Sequence, residues 1–170
     1  MANAVLHDIV RHNTWATRAL IDFVIAQRLT PDQLTATGVG TFGTIPQTLE
    51  HIVICDASYL RRLAIIDIGW VDTPTVLDLS VLRDRAEELI DRWDRCLAGP
   101  PIDTERIVLV DDDTEQTRAG ILLAQAINHA NHHREQVCAI LTGLGIQPPD
   151  IQAWEYAWQS GRISAVDDCH

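Results

Sequence analysis

Apolar residues recur with a helical period along four separate stretches of this chain, and one of them carries histidines on its apolar stripe. That stretch, Ala126 to Ile140, reads AINHANHHREQVCAI. With Leu122 at zero and 100° per residue, Ala126 falls at about 40°, His129 at about 340°, His133 at about 20° and Ile140 at about 0°. His129 and His133 therefore share the inward stripe one turn apart, where a polar ring needs a partner. His132 sits on the edge of that stripe. An i, i+4 imidazole pair facing inward can supply two metal ligands, or it can be two core histidines held by hydrogen bonds. This helix alone leaves both readings open.

The remaining stretches set the fold class. Asn3 to Arg28 carries a narrow apolar stripe of Val5, Ile9, Ala16, Leu20 and Phe23 with His12 inside it. Thr30-Pro31-Asp32 reads as a stop, a cap and a short helical turn, and Thr35 to Gly43 as a loop rich in Gly and Thr. Thr44 to Ile66 is a second long helix with Thr44 as N-cap and Pro46 tolerated in the first turn. Its main stripe is Leu49, Ile52, Val53, Leu60 and Leu63, with Asp56 anomalously in the middle. His51 lies about 200° from Leu49, on a separate lane with Cys55 and Tyr59, so periodicity does not aim it at the core. Leu79 to Leu97 is a third helix, whose run of Arg, Asp and Glu reads as a solvated face. Arg106 to Val110 followed by Asp111-Asp112-Asp113 predicts a small hairpin and a solvated turn, because the Gly and Glu of a calcium loop are missing. The fourth helix is placed from about Thr117 to Leu144, and Asp150 to Gly161 as a short closing helix. These elements predict an all-α four-helix bundle, one domain over residues 1–165, with a loose tail over 166–170 in which His170 is not a site candidate.

Charge and cysteine usage narrow the function classes. The formal charge is −11 and all 13 basic side chains are Arg. An acidic chain without a basic cluster argues against nucleic acid. Nor does the sequence show an Arg or Lys cluster that would mark a phosphate or carboxylate site. Charges interrupt every apolar run, so no membrane span is expected. The terminus lacks the pattern of a signal peptide, and Cys55, Cys96, Cys138 and Cys169 are widely spaced. Together these point to a cytoplasmic protein with reduced thiols.

Three segments together are distinctive: Arg11-His12-Asn13-Thr14-Trp15-Ala16, Thr44 to Ile52 with Asp56 beyond it, and Asn128 to Gln136 followed by Leu144-Gly145. Over nearly the whole chain they resemble the DinB-like family, also called DinB/YfiT-like. The resemblance implies a four-helix bundle, often a homodimer, with a divalent metal ion held by three histidines. His51 matches the ligand from the second helix, and His129 and His133 match the pair from the fourth. His132 is second choice by register. Glu135 stands where the family pattern often has Gly, off the metal stripe.

The expected ligand set makes chemical sense. Three neutral imidazoles without a carboxylate suit Zn²⁺ or Ni²⁺ foremost, with Fe²⁺ or Mn²⁺ also within range. Three protein ligands leave a coordination position open to water or substrate. The catalytic candidates are His12 as a proton shuttle and Glu50 and Asp56 as groups that could orient an imidazole, Asn128 being a further candidate for that role. A buried His12 with a backbone partner is the alternative, and Tyr59 and Trp15 read as packing residues. Among similar families the activities include S-transfer with bacillithiol or mycothiol and mycothiol-dependent maleylpyruvate isomerisation. A thiol S-transferase-like enzyme acting on a small molecule, its partner a low-molecular-weight thiol, is therefore the leading expectation. The rivals are a metal-dependent hydrolase and a non-catalytic, stress-related metal-binding dimer. A fourth protein ligand such as Cys55 would favour the last.

Overall fold

A computed structural model describes residues 4–111 and 114–165. The Asn3 start of the first helix, Asp112 and Asp113 of the turn, and the 166–170 tail with His170 lie outside the described residues. The chain runs α1 (Ala4–Gln27), α2 (Pro31–Leu34), α3 (Ile45–Ala64), α4 (Leu79–Ala98), β1 (Ile107–Val110), β2 (Glu115–Arg118), α5 (Ala119–Gly143) and α6 (Ala153–Gln159). This is the four-helix bundle that the periodicity predicts. No helix among the described residues is long and apolar enough to cross a membrane.

Local chemistry fixes where α2, α3 and α4 begin. Thr44 accepts from the Gln47 amide while the Gln47 side chain accepts from the Thr44 amide, a reciprocal capping box. Thr30 and Gln33 repeat the device on α2. The Asp78 carboxylate caps α4 through Ser80 and Val81, and these hydrogen bonds hold its pKa below the usual carboxylate range. The sequence starts α5 two residues early: Thr117 pairs with Val108 in the antiparallel β1–β2 ladder instead. No side chain caps α5. Its first amides reach carbonyls of the hairpin arm, Ala119 to Arg106 at 2.8 Å and Gly120 to Thr104 at 2.9 Å. A Cβ at Gly120 would meet the Thr104 carbonyl oxygen at 3.3 Å, so a larger residue here would push the arm back by a few tenths of an ångström.

Around the bundle the order is α1, α4, α3, α5, so the chain crosses it diagonally from α1 to α3 and again from α4 to α5. Leu20, Ile21 and Val24 of α1 meet Leu49, Ile52 and Leu60 of α3, Leu82 and Trp93 of α4, and Val137 and Leu141 of α5 in one core. Each such aliphatic side chain contributes about 1.5–3 kcal/mol by leaving water. The charged face of α4 is more than a solvated surface. Arg83 pairs with Asp22 at 2.8 Å and Asp94 with Arg11 at 2.7 Å, tying α4 to α1. These half-exposed pairs set register more than they add stability, at about 0–1 kcal/mol each.

One acidic and one basic side chain, Asp56 and Arg134, sit inside this core. Asp56 accepts from the Trp93 indole N–H through both carboxylate oxygens, at 3.1 and 3.2 Å. Burial pushes its pKa up to about 7, against the Trp93 hydrogen bond and the positive charge of Arg134. Arg134 donates through one nitrogen to the Asn13 carbonyl, the Asn13 side chain and the Thr17 hydroxyl at 2.9–3.0 Å, linking α5 to α1. Burial lowers the Arg134 pKa to about 10.

Candidate metal centre

The α3 lane that periodicity left unaimed is the one that faces α5. On it His51, Cys55 and Tyr59 stand one turn apart, and the Tyr59 ring meets His129 edge-on at 5.8 Å. His129 and His133, one turn apart on α5, have ring centroids 4.5 Å from each other. His51 comes in at 4.8 Å from the first and 4.7 Å from the second. One ligating nitrogen from each ring falls within 4.8 Å of the others. The Nε2 atoms of His51 and His129 are 3.0 Å apart. Two nitrogens bound at about 2.05 Å to one ion stand about 2.9 Å apart at a right angle and about 3.35 Å apart at a tetrahedral one. The His51–His129 pair already has that spacing, and His133 stands within 4.8 Å of both.

The electrostatics suit a cation. Desolvation first, then the positive charge that His133, His51 and His132 would carry, lowers the His129 pKa to about 4. Desolvation and His133 lower that of His51 in the same way. Both rings are therefore neutral at neutral pH with lone pairs available, and no carboxylate belongs to the cluster.

Gln136 fixes the third ring. Its Oε1 accepts from the Phe42 backbone amide at 3.1 Å, and its Nε2 donates to the Gly40 carbonyl at 3.2 Å. These two backbone groups have unambiguous roles, so they settle which way the amide points. His133 Nδ1, 2.8 Å from the same Oε1, must then be the N–H donor. That leaves Nε2 as the atom His133 would offer to an ion, the arrangement a metal-ligating histidine requires. The 38–43 loop is drawn onto the site by the same contacts. Phe42 stacks on His51 at 4.0 Å with the rings 14° from parallel, and lies edge-on to His133 at 5.5 Å. Gly40, at φ 75°, makes the turn that brings its carbonyl to Gln136.

The other residues singled out from sequence lie around this centre in different ways. Glu50 accepts from the Val76 amide at 2.5 Å, pinning the 65–78 connector beside the site. Asp56 is engaged by Trp93, Asn128 is exposed, and neither has a hydrogen bond to the three rings. His12 Nε2 meets the Ile151 carbonyl at 2.9 Å and packs among Trp15 and Tyr156, which fastens the segment before α6 to α1. The exposed His132 accepts from Gln136 Nε2 at 3.1 Å. Cys55 Sγ lies 3.7 and 3.9 Å from the two His51 nitrogens but outside the ligating group, and burial pushes its thiol up to about 11. Gln136 and Phe42 are absent from the residues that periodicity marks. The available signal was a Gln three residues beyond His133 on the same helix face.

A cleft of about 470 Å³ opens from His51 between the 38–43 loop and the connector, with Phe42, Glu50, Val71 and Thr75 in its walls. The model of the DinB family matches residues 1–163. The chain belongs to the DinB family. No curated protein matches it. In this DinB chain the three histidines form the one group of three or more candidate ligand residues close enough to share an ion among the described residues.

Proposed function

We propose that this DinB protein is a metal-dependent enzyme that acts on a small molecule, with His51, His129 and His133 as the ligands of one divalent ion. The observation that carries the reading is the three-nitrogen cluster beside an open cleft, with His51 and His129 held neutral by burial. Three imidazoles add no negative charge, so the ion keeps its full +2, and Zn²⁺ or Ni²⁺ fits this donor set best. An ion held there supplies Lewis acidity, lowering the pKa of a thiol or water and polarising a carbonyl.

The protein's own groups define the rest. Gln136 holds His133 in one tautomer. Phe42 covers one face of His51 and keeps water from it. The cleft walls combine the Glu50 carboxylate with apolar and hydroxyl side chains, which suits a small, partly apolar substrate. Thiol S-transfer is the reaction we favour, with a low-molecular-weight thiol as co-substrate and a homodimer as the working form. Cys55 lying outside the ligand group is what weighs against a purely structural staple.

The test is a screen of metal-loaded protein for transfer of small thiols to electrophiles and for ester and amide hydrolysis, with His51→Ala as the blank. Thiol transfer lost in the blank supports the reading. Hydrolysis alone would move the assignment to a hydrolase, and equal rates in the blank would end it.

A further inference from the structure

Folding assembles an arginine cluster that the sequence does not display. Arg92 and Arg95 near the end of α4 and Arg106 before β1 converge on a cleft of about 540 Å³. Arg61 and Arg62 line an adjoining cleft that shares Arg106. Five of the 13 arginines in a chain of net charge −11 thus border these two clefts, with Asp103 the one carboxylate in their lining, while Glu88 pairs with Arg92 and Asp72 with Arg61 from outside it. Leu63 lies 12 residues beyond His51 on α3, so the larger cleft is about 18 Å along the helix from the histidines. It is separate from the histidine cluster.

The guanidinium groups are held in place but not used up. Arg106 Nη2 donates to the Arg62 and Leu63 carbonyls at 3.0 and 2.9 Å, which fixes the group against the end of α3. Arg92 Nε meets Glu88 and its Nη1 the Asp67 carbonyl. Arg95 uses only Nε, on the carbonyl of Asp91. Donors remain on all three: Nη2 of Arg92, both Nη atoms of Arg95, and Nε and Nη1 of Arg106. The wall beneath them is apolar, formed by Leu63, Ile66 and Ile102. A wall of this kind with pre-positioned guanidinium forks recognises a planar anion on an apolar body. We propose that this cleft binds a small organic carboxylate, its carboxyl group held by Arg92, Arg95 and Arg106 and its apolar body against Leu63 and Ile102.

The test uses 1-naphthoate as probe in calorimetry, beside acetate, which has the charge without the body, and 1-naphthalenemethanol, which has the body without the charge. Naphthoate should bind at least tenfold more tightly than either, and Arg95→Ala should weaken it roughly tenfold, as loss of a charge-assisted contact does. Arg95 bonds only its own helix, so the variant should keep the wild-type melting temperature and metal content. Location is read from Cys96, a half-buried thiol that lines the cleft. Naphthoate should slow alkylation of Cys96, mapped by peptide mass spectrometry, and leave Cys55 beside His51 unaffected. Equal binding of the neutral alcohol, unchanged affinity in Arg95→Ala, or protection of Cys55 in place of Cys96 would each overturn the proposal.

Discussion

Replacing Gln136 probes the link between the metal centre and the loop above it. The side chain makes four contacts within 3.2 Å: His133 Nδ1, the Phe42 amide, the Gly40 carbonyl and His132. In Gln136→Ala the His133 ring loses the acceptor that selects its tautomer, and removing such a partner costs roughly 10–100-fold in metal affinity. That is about 1.4–2.7 kcal/mol. The two backbone contacts to the loop are partly solvated, so their loss should cost about 1–2 kcal/mol of stability. For a chain of this size that lowers the melting temperature by roughly 2–8 °C. Gln136→Glu separates the two effects. It keeps an acceptor for His133 and Phe42 but turns a carboxylate towards the Gly40 carbonyl. Competition against a chromophoric chelator should show near wild-type affinity for Glu and the full loss for Ala, while both melt early. Wild-type affinity in Gln136→Ala, or equal loss in both variants, would refute the tautomer argument.

Three further expectations follow from the electrostatics and from ion binding. The buried Asp56 is raised to about 7, so the unfolded chain releases this proton at a lower pH than the folded one. The stability it allows below the ordinary carboxylate value is lost as pH rises towards 7; the melting-temperature difference between Asp56→Asn and wild type should therefore increase from pH 5 to pH 8, and a flat or falling difference counts against a desolvated carboxyl. In metal-free protein, ¹⁵N shifts of the His129 ring should keep the neutral pattern down to about pH 5, titrating near 4; a midpoint at or above 6.5 contradicts the desolvated placement. Adding a chelator to metal-loaded protein should lower its melting temperature, since an ion bound only by the folded state stabilises it, and an unchanged melt argues that the site was empty.

How far the sequence discloses this arrangement differs from residue to residue. The α5 pair is legible because i, i+4 spacing on an apolar stripe is a local property of one helix. His51 is legible only through the family resemblance. α3 is buried on two sides, so a residue about 200° from Leu49 still faces a neighbour, and a single-stripe projection cannot show it. Asp56 stands out as a charge on a core stripe, yet its partner Trp93 is on another helix, 37 positions away. Phe42 and Gln136 go unmarked because a loop carries no periodicity, and its seat depends on backbone groups that every residue has. The arginine cleft is invisible for a related reason: α4 and the hairpin arm meet only once the bundle closes.

The central claim is that three imidazoles from two helices hold one ion. Elemental analysis of metal per chain tests it most directly, comparing wild type with His51→Ala, His129→Ala, His133→Ala and His132→Ala after identical metal loading. We expect roughly one equivalent in wild type and in His132→Ala, and a sharp drop in each of the other three. Full retention by any one of those three would contradict the site.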